Sequence, residues 1–435
     1  IDAGAVTRVP EVFTRHFPGR RPLVVCDENT FEVAGGRVHE LLRQAGLDPH
    51  PPLIFPGRPV LHPESAHVNV VSARLRESDG ESKAVGVAVG SGTLNDIVKL
   101  ASHRADRRYM VVGTAASMDG YASFGASILA EGYKTTIPCP APSAVVADVD
   151  VIAAAPADMT ASGYADLVGK ITAGADWLIA DELGVQSVDP EIWAMVQPPL
   201  RGWIGDPEGL RRGELRVISG LFEGLTVSAL AMQAYRDTRP ASGTEHLFSH
   251  VWEMQNLEFQ GRSVSHGFKV GLGTLAATAL MEVLFGRDIS EETVRRTVAS
   301  RPSPDERKRS VEKRFGNAPF AGAVVDASLS KLADEDELQE RTNLALRRWT
   351  HMRERVGDQL LPFDEVRSLL RSAGCPVTPE EIGMTRQRLA ETFALAQMIR
   401  TRYTVLDLAF ELGMLENCVE EIFASGRYFT SRIPA

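Results

Sequence analysis

The sequence predicts two domains: an α/β domain with a mostly parallel sheet over residues 1–155, then an all-helical domain over residues 156–435. Three observations lead there. In the first third, short apolar runs alternate with helical patterns, as βαβ units require. After about residue 155 the strand-like runs give way to stretches rich in Ala, Leu, Glu and Arg at helical spacing. A chain of 435 residues also exceeds what one core usually serves.

Taken in order, PLVVC at 22–26 reads as a buried strand ending at Asp27, residues 38–45 as a helix, and PLIF at 52–55 as a second strand. The stretch at 62–70 fits neither pattern. AVGVAV at 84–89 is a strand, followed by a helix over 94–102, and strands follow at 109–113 and 144–148. In the second part, helical spacing covers 160–182, 220–235, 243–254, 267–285, 336–356, 379–402 and 405–411. The charged, Pro-containing stretch 301–314 reads as a surface connection. No internal repeat or low-complexity tract stands out.

Composition narrows the class. Hydrophobic residues make up 44% and charged residues 24%, as in ordinary globular proteins. The formal net charge is −10 without a run of like charge, which gives no support for nucleic-acid binding. Cys26, Cys139, Cys375 and Cys418 lie far apart with no CxxC pair, so reduced thiols in a cytoplasmic protein are expected. No apolar run reaches the roughly 20 residues of a membrane span. The chain begins at Ile1, and no targeting segment is visible in it.

Two strand ends carry ligand-like loops. Strand 84–89 runs into Gly90, Ser91, Gly92, Thr93, Leu94, Asn95 and Asp96. Glycines there let backbone approach a phosphate, and the N–H groups opening a helix attract the anion. A plain strand-to-helix turn is the bland alternative, since the later positions of GxGxxG are filled by Leu94 and Asn95. The next strand ends in TAASMDGYAS at 114–123. Two consecutive strand ends rich in small and hydroxyl residues mark where open α/β sheets bind nucleotides. Ser117 and Asp119 could equally be turn residues.

Three histidines crowd into a short stretch: His246, His250 and His266. Ser242 and Glu245 match a capping box, which puts His246 in the first turn of a helix and His250 on the same face. His266 opens the next helix. Asp166 lies in an otherwise apolar helix, where a carboxylate needs a partner. A divalent ion held by Asp166, His246 and His266 would leave positions open for substrate. The alternatives are ordinary core or surface histidines, and an ion pair from Asp166 to Lys170 on the helix surface.

Together GSGTLND (90–96), TAASMDGYAS (114–123), GYADLVGK (163–170), RPASGTEHLFSH (239–250) and SHGFKVGLGTL (265–275) resemble the sn-glycerol-1-phosphate dehydrogenase family. That family belongs to the iron-containing alcohol dehydrogenase and dehydroquinate synthase-like superfamily. RYTVLDL at 402–408 is also similar. The resemblance implies an N-terminal dinucleotide-binding domain, a helical C-terminal domain and a site in the cleft between them. It implies that Gly90–Asp96, Thr114, Ala115, Ala116, Ser117 and Ser123 bind NAD or NADP, with Asn29 or Thr30 at the adenosine end. It implies that Asp166, His246 and His266 hold one divalent ion, zinc or nickel for preference. Asp119, Asp166 and His250 would meet the substrate, His250 would supply a proton, and Lys170 would face a phosphate. The implied reaction reduces dihydroxyacetone phosphate to sn-glycerol 1-phosphate, in a homodimer. Departures from the family pattern are Ala88 before the glycine turn and Phe268-Lys269 after His266. Glycerol dehydrogenase and sugar-phosphate cyclase activities of the same superfamily, and a non-catalytic nucleotide or metal sensor, are the competing readings.

Overall fold

The computed structural model describes residues 1–77, 83–130, 133–316 and 318–429. In chain order the elements used below are β1 (Arg21–Asp27), α1 (Gly36–Gln44), β2 (Leu53–Phe55), α2 (Ser65–Arg76), β3 (Ala84–Gly90), α3 (Gly92–Arg104) and β4 (Met110–Gly113). Then come β5 (Ala126–Ala130), β6 (Tyr133–Ile137), β7 (Ala144–Ala147), α4 (Ala157–Val168), α5 (Lys170–Glu182), α6 (Leu215–Tyr235) and α7 (Thr244–Met254). The remaining ones are α8 (His266–Phe285), α9 (Pro304–Phe315), α10 (Glu335–Gln359), α11 (Arg386–Met398) and α12 (Val405–Glu411).

Contacts divide the chain into two compact units, Ile1–Leu167 with Arg201–Thr238, and Val168–Leu200 with Arg239–Ala435. The sequence suggested one boundary near residue 155. The chain instead passes between units three times, because helices α4 and α6 pack with the α/β elements rather than with the later helices.

The first unit is built on a five-stranded sheet in the order β2-β1-β3-β4-β7, with every neighbouring pair parallel. All of β3 is buried, as expected of a central parallel strand covered on both faces. Alternate residues Val24, Cys26, Val85, Val87, Val89, Met110 and Val112 face a core shared with Phe13, Phe17, Val38 and Leu42. From β1 the chain steps outward to β2, then returns to the other side of β1 for β3. This reversal places a crevice at the carboxyl ends of β1 and β3, where Asp27 and Gly90 stand. The unassigned stretch near 62–70 opens helix α2. An antiparallel hairpin, β5–β6, was not anticipated; its two short strands lack the strong apolar run of the parallel ones.

The second unit is helical among its described residues, apart from a two-stranded ribbon at 258–259 and 262–263. Every residue of α5 except Asp181 is buried, and α8 is buried nearly all round. The stretch expected as one helix over 160–182 is two, with Gly169 at the junction. Residues 301–314 are not a loop. Ser303 and Glu306 cap α9 reciprocally and Pro304 takes the first helical position, so the proline that suggested a connection starts a helix. Helices α6 and α8 are long and apolar enough to span a membrane, contrary to expectation, but 56% and 89% of their most apolar windows are buried in the fold. They are core helices. All four cysteines are free and buried.

Candidate metal centre

The glycine turn sits at the sheet's reversal point. Helix α3 opens directly after β3, and Ser91 gives it no side-chain cap. Its first turn therefore offers backbone N–H groups to an anion. Leu94 folds back over Gly90, and Met118 lies against Gly92 and Gly120. The later turn residues do something else. Asn95 is buried and donates to the carbonyls of Gly120 (3.1 Å) and Tyr121 (3.4 Å), while accepting from Tyr109 Oη (3.0 Å). Asp96 accepts from Ser127 N at 3.2 Å. Their side chains clamp the second loop. Thr30 is similarly committed: with Asp27 it forms a reciprocal cap, Thr30 N to Asp27 Oδ1 at 2.7 Å and Asp27 N to Thr30 Oγ1 at 3.0 Å. Asn29 donates to Gly57 O at 3.3 Å and so ties the end of β2 to β1.

The second loop is held from several sides within the first unit. The fully buried Lys99 ammonium donates to the carbonyls of Gly120 (2.9 Å), Gly125 (3.0 Å) and Ser123 (3.2 Å). Thr114, Ala115, Ala116 and Ser123 are all buried. Tyr121 Oη donates to Ala115 O at 2.5 Å, and Ser162 Oγ of α4 to Ser117 O at 3.2 Å. A Cβ on Gly163 would lie 2.0 Å from Ala116 O, so only glycine lets α4 come this close. Asp166, one turn along, is fully buried, and its Oδ2 accepts the N–H of Asp119 at 3.0 Å. Lys170 has no exposed surface at all, so it does not stand on the helix surface.

In the second unit, α7 and α8 bring His246, His250 and His266 together. The ring centroids are 5.4 Å apart for His246–His266 and 6.3 Å for His246–His250. The start of α7 differs from the expected capping box. The N-cap is Gly243, whose N–H donates to Glu245 Oε1 at 2.6 Å. The next amide, Thr244 N, donates to Asp176 Oδ2 of α5 at 2.6 Å. A carboxylate from another helix thus does the capping. Close packing of α7 on α8 depends on Gly273, where a Cβ would lie 2.4 Å from Glu245 O.

Both outer imidazoles are backed by carboxylates. His246 Nδ1 lies 2.7 Å from Glu245 Oε1, and His266 Nδ1 lies 2.9 Å from Glu253 Oε1. Glu245 is wholly buried and also accepts from Thr172 Oγ1 at 2.7 Å. Burial would raise its pKa, but the His246 hydrogen bond and charge hold it below the usual value. Asp176 nearby is pushed up to about 7, by burial first and by Glu245 second. Burial also pushes His250 down to about 3, against its hydrogen bond to Glu253. Sequence reasoning missed Glu253 altogether and took Glu245 only for a cap. It also missed Lys269, whose Nζ is 3.3 Å from Glu253 Oε1. The i, i+3 spacing of His250 with Glu253, and of His266 with Lys269, was the available signal.

With this geometry in hand, the comparisons decide the family. A model of the iron-containing alcohol dehydrogenases matches residues 1–156. A glycerol-1-phosphate dehydrogenase [NAD(P)+] of Bacillus subtilis is 33% identical over 401 residues, which is 91% of this chain and 86% of the relative. The chain belongs to the glycerol-1-phosphate dehydrogenase family. A second member, from Geobacillus thermodenitrificans, is 31% identical over 78% of this chain and 87% of its own length. Among solved structures, sulfoacetaldehyde reductase from Bifidobacterium kashiwanohense in complex with NAD+ superposes with a TM-score of 0.60 at 12% identity, covering 97% of this chain and 96% of that one. A probable glycerol dehydrogenase from Sinorhizobium meliloti gives 0.57 at 16% identity, covering 97% and 96%. At such identities the structures establish the shared fold of the family and nothing finer.

Proposed function

We propose that this chain catalyses the reversible reduction of dihydroxyacetone phosphate to sn-glycerol 1-phosphate by NADH or NADPH, with one divalent ion held by Asp166, His246 and His266. The carrying observation is the pair of neighbouring imidazoles, each with Nδ1 tied to a carboxylate. A carboxylate only accepts, so the proton sits on Nδ1 and the Nε2 lone pair is left for a Lewis acid. A buried carboxylate, Asp166, completes a donor set that suits zinc, nickel or a similar borderline ion. When bound, the ion would polarise the C2 carbonyl and the nicotinamide would supply hydride.

The chain's own residues do the rest. The amides of Gly92 and Thr93 at the start of α3 receive the pyrophosphate, and the loop Thr114–Ser117 with Ser123 lines the cofactor. Asp119 meets the substrate, with its amide anchored on Asp166. His250 orients the substrate's oxygen by a hydrogen bond and supplies the proton, with water or the cofactor ribose as the alternative source. Lys170, buried on α5, would face the substrate's phosphate.

The test is a coenzyme-oxidation assay on chelator-stripped protein reloaded with zinc or nickel, comparing dihydroxyacetone phosphate with dihydroxyacetone and resolving the product's enantiomers. Turnover should require the phosphorylated ketone and the metal. H246A should lose stoichiometric metal and turnover together. Full activity of metal-free H246A, or a preference for the unphosphorylated ketone, would overturn the proposal.

A further inference from the structure

Two carboxylates behind the imidazoles differ in how they are built in, and that difference suggests a division of labour. Glu245 is completely buried, and each of its oxygens has a fixed partner. Oε1 accepts from Gly243 N at 2.6 Å and faces His246 Nδ1 at 2.7 Å, while Oε2 accepts from Thr172 Oγ1 at 2.7 Å. Thr172 stands on α5, and four residues further on the same face Asp176 holds Thr244 N at 2.6 Å. One helix thus grips the residues on the N-terminal side of His246 at two points.

Glu253 is shared instead. Its Oε1 faces His266 Nδ1 at 2.9 Å and Lys269 Nζ at 3.3 Å, and its Oε2 faces His250 Nδ1 at 3.4 Å. Glu253 lies on α7, seven residues after His246, so it links the two helices that carry the histidines.

We propose that Glu245 and Glu253 are positioning residues that lock His246 and His266 in the Nδ1–H tautomer, and that Glu253 also ties the orientation of His250 to that of His266. The inference rests on the metal reading above and deepens it. Carboxylates in this position make imidazole a stronger ligand and fix its ring plane. In this role neither residue is itself a ligand of the ion.

Glu→Gln at either position is close to isosteric. In E245Q the amide oxygen can still accept from Gly243 N and His246 Nδ1, and the amide nitrogen can donate to the Thr172 hydroxyl. Only the charge is removed. In E253Q the oxygen keeps His266 and Lys269, while the nitrogen now faces His250 Nδ1 and favours the opposite tautomer of that ring.

The experiment titrates full-length, chelator-stripped protein with Co2+, read by visible absorption in metal buffers. It is paired with 1H–15N spectra of histidine-labelled metal-free protein that report each tautomer. Wild type should bind one Co2+ and show Nδ1–H at His246 and His266. Each variant should bind Co2+ roughly 10–100-fold more weakly, with the thermal midpoint of the metal-free protein little changed. E253Q should also move His250 toward Nε2–H. If wild type binds no Co2+, the metal reading itself fails. If wild type binds and both variants bind within twofold of it with tautomers unchanged, the positioning roles are wrong while the metal reading stands. Should E245Q not fold, E253Q and the wild-type tautomers decide the matter.

Discussion

Replacing Lys99 by Met removes one ammonium from the middle of the loop that carries Asp119 and Ser123. The side chain is fully buried and makes three bonds to backbone carbonyls, of Gly120, Gly125 and Ser123, at 2.9 to 3.2 Å. Methionine fills similar space and donates nothing. Each buried acceptor left without its donor costs about 1–3 kcal/mol, and Asp96, 3.6 Å from Lys99 Nζ, loses its cation. Some of this is recovered as the loop relaxes toward water, so about 4 kcal/mol is a reasonable net figure. Local opening of residues 118–127 then becomes about a thousandfold more frequent, since 1.4 kcal/mol is a factor of ten. Hydrogen exchange on the metal-free protein measures this directly, and steady-state kinetics should show KM rising for coenzyme and ketone. Exchange protection in 118–127 equal to that of wild type would refute the reasoning, because it would mean that the carbonyls never depended on Lys99.

Two further outcomes follow from single positions. In G273A the new methyl would stand 2.4 Å from Glu245 O, so α7 and α8 must separate; we expect a loss of about 1–3 kcal/mol in stability and a more than tenfold drop in Co2+ affinity, with NAD(P)H binding by fluorescence retained. In E411Q the pH dependence of stability should change. Burial, opposed chiefly by Arg341, pushes Glu411 up to about 7 from an ordinary value of 4.5. A raised carboxyl pKa means the folded state holds the proton more tightly. Its stabilising contribution is complete below about 4.5 and is lost as the pH rises to about 7. Thermal midpoints measured from pH 4.5 to pH 7 should therefore decline less in E411Q than in wild type.

How much of this was legible in the sequence depends on the range of the interaction. The parallel strands were, because AVGVAVG and PLVVC are apolar on both faces and only a doubly covered sheet buries them. The helix starts at His246 and His266 were, because each motif is local. The clamping roles of the Asn95 and Asp96 side chains were not legible, because nothing in GSGTLND shows that the loop two dozen residues later folds back onto them. The partners of Lys99 and Glu253 come together only once the fold is closed. The proline of α9 misled because the same residue that ends a helix from inside begins one at its first position.

The three letters TEH show why a local motif can be recognised without its purpose being readable. Adjacent helix residues point about 100° apart, so Thr244, Glu245 and His246 would not ordinarily serve one end. Here they do, because α5 lies alongside with Thr172 and Asp176 one turn apart. Asp176 takes the Thr244 amide, Thr172 takes one Glu245 oxygen, and the other Glu245 oxygen turns back to His246 Nδ1. Asp176 is itself held at its second oxygen by Val405 N at 2.7 Å, at the start of α12. The imidazole is therefore fixed by a buried ladder of acceptors that runs from one helix to the starts of two others. Burying two carboxylates together is unfavourable, as the upward push on Asp176 to about 7 records. Simple capping of α7 does not require such a pair, since one serine or aspartate would do it. Backing His246 with an ionised acceptor holds it in one tautomer and also makes the ring a stronger ligand. That role gives the buried charge its physical reason.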